Sequence, residues 1–208
     1  AHVASMGVIR AKGKILFFCE TDRLKQLLGE DLTGGTALGD LWELDWDRLP
    51  KATVWLITLP CINHARSGDH SGRHGEHGVL FVESVKAIMH CLPLVFFHEI
   101  SDFAEYVNGG EDVELVIRGT SSKYVVHKVR MNMASHGDPS HRKRLGLVGF
   151  LRTFPGAHEW TPPAGDYGSD HSHCARDTAD EDADVLEEDK RRGRLHTTYK
   201  EVSTPPFG

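Results

Sequence analysis

Short apolar runs that end in polar residues alternate along the first 150 positions with segments of helical periodicity. Ile15-Leu16-Phe17-Phe18-Cys19 runs into Glu20 and reads as a buried parallel strand with a carboxylate at its tip. Residues 22–28 read as a helix with Leu24, Leu27 and Leu28 on one face. Thr33-Gly34-Gly35 is a loop, and Gly39-Asp40 follows a short strand. Thr53-Val54-Trp55-Leu56-Ile57-Thr58-Leu59 is the strongest strand in the chain and leads directly into Pro60-Cys61. A polar loop rich in Gly and His follows, from Asn63 to Gly78. Residues 79–90 form a helix, and Leu94-Val95-Phe96-Phe97 is a buried strand ending at Glu99. Residues 112–118 suit a helix or a strand. Residues 124–129 alternate like a strand, and Leu145-Gly146-Leu147-Val148-Gly149-Phe150 is the last strand. Strands alternating with helices predict an α/β fold built on a parallel sheet. Ligands of such sheets sit beyond the carboxyl ends of the strands, where Glu20, Asp40, Cys61 and Glu99 all fall.

Composition changes this picture in its second part. Beyond Phe150 the periodicity dissolves into Pro155, Pro162, Pro163, Gly165 and Gly168, and an acidic run spans residues 177–189. Residues 165–208 therefore predict a disordered or linker-like tail. The expected division is 1–150 as a catalytic domain and 151–208 as the start of a recognition region or an acidic tail. The formal net charge is −6, but the acidic run holds much of it, so charge neither favours nor excludes DNA as a partner. The four cysteines show no CxxC spacing, which points to a reducing compartment. No apolar run approaches the roughly 18 residues of a membrane span, and residues 1–5 lack a signal-peptide pattern. The expected location is the cytoplasm.

Cys61 carries the most chemistry. A cysteine directly after a strand, preceded by Pro and followed by a glycine-rich loop, is well placed as a nucleophile, given nearby positive charge or N–H donors to favour the thiolate. Arg66 and the loop histidines are candidates for that role. The alternative is a buried structural cysteine. His64, His70, His74 and His77, with Asp69 and Glu76 between them, offer imidazoles and carboxylates of the kind zinc takes, but their spacing fits no standard finger. A solvated loop facing DNA is the preferred reading, and no metal is assigned. His171, His173 and Cys174 raise the same question and receive the same answer.

Four blocks in order resemble the DNA cytosine-C5 methyltransferases, over about residues 7 to 150. Leu59-Pro60-Cys61-Ile62-Asn63-His64-Ala65-Arg66-Ser67-Gly68 resembles the family's Pro-Cys loop in a phage-like variant. Pro93-Leu94-Val95-Phe96-Phe97-His98-Glu99-Ile100 is similar to the strand ending in Glu-Asn-Val, with Ile100 at the Asn position; a one-residue shift would place His98 on the Glu position. In the segment 136–149, Gly137, Pro139, Arg142, Arg144, Val148 and Gly149 match the Tyr-Gly-x-Pro-Gln-x-Arg-x-Arg segment and the strand after it, with Ser140 in place of Gln. Cys19-Glu20-Thr21-Asp22 and Gly39-Asp40-Leu41 resemble the two acidic strand tips that meet the ribose and adenine of the cofactor.

The resemblance implies a Rossmann-like methyltransferase sheet with helices on both faces, cut short, and S-adenosyl-L-methionine as cofactor near Glu20, Asp40 and Pro60. It implies Cys61 as nucleophile toward cytosine C6, Glu99 at N3, and Arg144 and Arg142 as anchors for the base oxygen or a phosphate. The partner is double-stranded DNA, with no membrane. The family's Phe-x-Gly-x-Gly-Gly cofactor loop is absent ahead of Gly7, as are its late Arg-x-x-Thr-x-x-Glu and Gly-Asn-Ser-Val segments. A second chain supplying the missing motifs, an inactive remnant that keeps the fold, and a metal-dependent hydrolase using the His-rich loop are the competing expectations.

Overall fold

The computed structural model describes residues 2–60, 62–65, 68–75, 78–136 and 142–163. Contacts divide the chain into two units, one of residues 1–132 with 143–164 and the other of residues 133–142 with 165–208.

The first unit begins with α1 (His2–Arg10) and a small parallel ladder of β1 (Phe17–Phe18) and β2 (Thr36–Ala37). Backbone bonds Thr36 N–Leu16 O, Leu38 N–Phe18 O and Glu20 N–Gly39 O extend this ladder to the residues just past both strands. Between them lies α2 (Arg23–Thr33), started by Asp22, whose carboxylate accepts the Leu24 and Lys25 N–H groups. Gly34 ends the helix in the left-handed conformation, φ 66°, that glycine adopts without a Cβ penalty. Leu24, Leu27 and Leu28 do share a face, but it is exposed rather than packed.

The larger sheet has four strands in the order β3–β4–β6–β5. β3 (Val54–Thr58) and β4 (Val95–Ser101) are parallel and are joined through α3 (Val79–Cys91). β5 (Tyr124–Asn132) and β6 (Lys143–Leu151) are antiparallel to each other, and β6 runs antiparallel to β4. The sheet is therefore mixed, not parallel throughout as expected. The reason is the connection: β5 and β6 are consecutive, and the short segment between them lacks the crossover of a dozen or more residues that a parallel pair requires. The ambiguous segment 112–118 is helical, within α4 (Glu111–Thr120). The two ladders are separate hydrogen-bonded sheets that meet through Phe17, edge-on to Trp55 with ring centroids 6.3 Å apart.

The main core lies between the larger sheet and the α3–α4 pair. Phe96 and Ile100 of β4, Leu145 and Leu147 of β6, Tyr124 of β5, Phe81, Val85 and Ile88 of α3, and Val113 and Val116 of α4 fill it. On the opposite face Val148, Phe150 and Ala157 gather Phe97, Val125, Phe154 and Trp160. The chain does not leave the sheet at Phe150. Residues 152–160 fold back over it, Trp160 lies 5.3 Å from both Phe150 and His127, and His127 Nε2 donates to the Ala157 carbonyl at 2.7 Å. The proposed tail, residues 165–208, lies outside the described residues.

Gly149 sits opposite Phe96 in the β4–β6 register, and a Cβ there would fall against the Phe96 ring. Gly149→Ala is expected to lower stability by roughly 1–3 kcal/mol through overpacking, measured by urea unfolding. An unchanged midpoint would show that Phe96 can give way.

Candidate active site

β3 carries the chain to the presumed nucleophile through Thr58, Leu59 and exposed Pro60. Cys61 itself lies outside the described residues, as do Arg66, Ser67, Glu76 and His77. The chain resumes at Ile62–His64, a 3-10 turn. The two described cysteines are poor nucleophiles. Burial, aided by the Asp40 carboxylate, pushes the Cys19 thiol up to about 11. Burial, aided by Asp47, also pushes the Cys91 thiol up.

Strand register decides what β4 presents beside this loop. Alternate residues of a strand face opposite sides. Phe96, His98 and Ile100 point into the core, each 0% exposed, so Phe97 and Glu99 point to the other face. Glu99 pairs with Thr58 on one side, three residues before Cys61, and with Gly146 on the other. Arg144, opposite Ser101, reaches back diagonally and places Nε 2.6 Å from Glu99 Oε1. The approach is close but the Nε–H is not aimed at the oxygen, so it is an ion pair rather than a directed hydrogen bond. Arg144 Nη1 also donates to the Lys143 carbonyl at 2.8 Å, which fixes the guanidinium further. Both partners keep partial exposure, 23% for Arg144 and 17% for Glu99, so the pair can be reached from solvent. Arg142 belongs to the second unit, where its carbonyl accepts the Met133 N–H at 3.0 Å and its side chain is exposed.

His98, the alternative to Glu99, is placed differently. Ser84 Oγ donates its single proton to the Phe81 carbonyl at 2.8 Å, so the 3.2 Å contact with His98 has Nε2 donating to Oγ. Burial, with a smaller contribution from the charge of His64, brings the His98 pKa down to about 3. His98 is a neutral core imidazole facing α3.

The acidic residues proposed for the cofactor sit at the expected strand ends. Glu20 follows β1, and its Oε1 accepts the Thr21 and Asp22 N–H groups at 3.0 and 3.1 Å. Asp40 follows β2, and its Oδ1 accepts the Trp42 N–H at 3.1 Å. Both carboxylates are oriented by backbone amides while another oxygen remains. Those acceptor oxygens suit the hydroxyl and amino donors of a nucleoside, so these residues fit the proposed cofactor. Glu20, Asp40 and Pro60 thus each follow the carboxyl end of a strand in a parallel pair, and Glu99 and Arg144 are in contact.

The loop after Cys61 differs from expectation. It is not a wholly solvated segment: Asn63 is 4% and His64 0% exposed. His64 Nε2 lies 2.7 Å from Asp112 Oδ2, both residues buried. Asn63 Nδ2 donates to Asp69 and to Ser71 Oγ, and the Ser71 hydroxyl and backbone N–H, with a smaller contribution from Asn63, hold the Asp69 carboxyl below its usual range. His70 packs on Phe103 at 5.0 Å. Asp112, Ser84 and Arg73 were absent from the sequence reading because their partners lie far along the chain, beyond the reach of any local spacing. Among the described residues no group of three His, Cys, Asp or Glu side chains is placed to hold a metal ion, and no helix is long and apolar enough to cross a membrane.

The model of the C-5 cytosine-specific DNA methylase family matches residues 3–203, and the chain belongs to that family. It is 25% identical over 194 residues to the type II methyltransferase M.HaeII of Haemophilus aegyptius, covering 92% of this chain and 60% of that protein. It is 25% identical over 134 residues to the type II methyltransferase M.HhaI of Haemophilus parahaemolyticus, covering 63% of this chain and 40% of that one. The chain thus spans 40–60% of the length of these relatives. The fold is similar to that of the Dnmt2 methyltransferase of S. pombe, with a TM-score of 0.57 at 13% identity over 82% of this chain and 54% of that one. It is also similar to a protein encoded within an E. coli prophage, with a TM-score of 0.59 at 15% identity over 72% and 43%.

His98 should leave a mark on acid stability. Above its ordinary value of 6.5 both folded and unfolded chains hold it neutral. Below that, the unfolded chain takes up the proton first, so stability falls toward pH 3 by up to about 1.4 kcal/mol per pH unit. Urea unfolding of His98→Gln between pH 7 and pH 4 is expected to show a shallower decline than the wild type. Parallel profiles would place the titration elsewhere.

Proposed function

We propose that this chain carries the catalytic residues of a DNA cytosine-C5 methyltransferase. The observation that supports the reading most is the Glu99–Arg144 ion pair on the strand neighbouring the one that delivers Cys61. In this reading the Cys61 thiolate adds to C6 of a cytosine, forming an S–C6 bond and turning C5 into an enamine-like nucleophile. Glu99 holds or protonates N3 as charge develops there, and Arg144 orients Glu99 and meets the base oxygen. After C5 gains the methyl group it loses its proton, the thiolate leaves C6, and the aromatic ring is restored. S-adenosylmethionine supplies that methyl group when bound. Glu20 and Asp40 hold its ribose and adenine, and Pro60 borders it. The duplex must release the base to a site of this kind, so the partner is double-stranded DNA with a flipped cytosine. Arg142 is a further candidate to anchor a phosphate.

A second reading keeps the family's fold without turnover, and calorimetry with S-adenosylmethionine tests it: saturable binding supports the enzyme, and a folded chain without binding supports the second reading. The hydrolase reading loses its motive, since His64 is committed to Asp112 and His70 packs on Phe103.

Cys61→Ser is expected to abolish transfer of labelled methyl groups to DNA. Glu99→Gln should lower kcat by about 100-fold or more, the usual range for a positioned acid or base. His98→Gln should cost kcat far less. The reverse order would move the acid to His98.

A further inference from the structure

Three parts of the segment after Cys61 converge on one short stretch of chain at the start of α4. His64 meets Asp112 Oδ2 at 2.7 Å, the Arg73 backbone N–H donates to the same oxygen at 2.8 Å, and Asn108 Nδ2 donates to the Ser71 carbonyl at 3.4 Å. The Arg73 guanidinium adds a 2.7 Å bridge to Glu111. Gly72, at φ 55°, allows the close approach, because a Cβ there would lie 2.7 Å from Asp112 Oδ2. Asp112 is thus the point at which the loop is fastened, although it is 48 residues distant in sequence from His64.

The fastening is an expensive kind. A buried carboxylate requires partners, and an apolar pair of the same shape would hold a loop as firmly. Around it His64 Nδ1, His98 Nδ1 and Asp112 Oδ1 are buried with no hydrogen-bond partner among the described residues. With an ionised carboxylate, Nε2 of His64 carries the hydrogen, so the bond fixes both the tautomer and the ring plane. That ring packs at a tilt against Phe81, centroids 4.5 Å apart, and Phe81 packs against His98 with centroids 5.3 Å apart. Through this packed row, the turn three residues after Cys61 is held in a fixed relation to the strand that carries Glu99. Directional bonds fix orientation, which general apolar packing does not.

We propose that Asp112 and His64 are positioning residues for Cys61: their buried bond sets the attitude of the turn that follows the nucleophile relative to Glu99. This rests on the assignment of Cys61 above.

The test compares four forms of the 208-residue chain: wild type, His64→Leu, His64→Gln, and the double variant His64→Leu with Asp112→Asn. Gln presents an N–H near the position of Nε2, so His64→Gln should keep kcat and the Cys61 alkylation rate within about threefold of wild type. His64→Leu removes the donor and should lower kcat at least tenfold with KM for DNA nearly unchanged. It should also lose thermal stability, because the Asp112 charge is left without its imidazole. The double variant removes that charge and keeps an acceptor for the Arg73 N–H. It should regain stability without regaining kcat. Alkylation by iodoacetamide, read at each cysteine by peptide mass spectrometry, should change at least fivefold at Cys61 in both Leu variants and stay constant at Cys19. This readout needs no methyl transfer, so it separates failure of the positioning claim from failure of the nucleophile assignment. If kcat returns with stability in the double variant, or Cys61 alkylation is indifferent to His64→Leu, the pair is merely structural and the proposal is overturned.

Discussion

The alternation of side chains along β4 is the constraint on which the site depends. Residues two apart share a face, so one strand commits Phe96, His98 and Ile100 to the core and Phe97 and Glu99 to the other side. A slip of one residue would bury Glu99 beneath α3 and expose His98, with the loss of most of the core. The cross-strand partners reinforce this register. Gly146 opposite Glu99 contributes no side chain, and Phe97 and Met131 close over it; Arg144 reaches the carboxylate from two residues away. The pair is mostly buried, so its attraction is offset by the desolvation of both charges and its net energy is no argument for stability. Its consequence is geometric: a carboxylate and a guanidinium are fixed side by side next to the strand that leads to Cys61.

The smaller ladder supplies a different kind of order. β1 and β2 are only two residues each, yet their carboxyl ends point Glu20 and Asp40 in a common direction along parallel strands. Backbone amides at the first turn after each strand take one oxygen of each carboxylate. Burial, with a smaller contribution from the nearby Asp40 carboxylate, keeps the Cys19 thiol protonated.

Much of this was legible in the sequence. Strand positions and the acidic strand tips follow from period-two patterning and from four ordered motif blocks, which left Glu99 and His98 both open. The antiparallel placement of β6 between β4 and β5 was not legible, because apolar strands of either direction carry the same pattern. The exposure of Leu24, Leu27 and Leu28 escaped too: periodicity shows that residues share a face, not what covers it. The His64–Asp112 pair was invisible for a third reason. A loop of Gly, His and Asp reads as solvated, and nothing local marks one imidazole as belonging to a helix far along the chain.

The most direct measurement is covalent trapping. A DNA duplex with 5-fluorocytosine at the target position carries a C5 substituent that cannot depart as a proton, so an adduct at C6 that has received its methyl group persists. Incubated with the protein and S-adenosylmethionine and digested, it is expected to yield a peptide mass adduct on Cys61. An adduct on Cys19, Cys91 or Cys174 instead, or no adduct from a protein that does transfer methyl groups to ordinary DNA, would contradict the account.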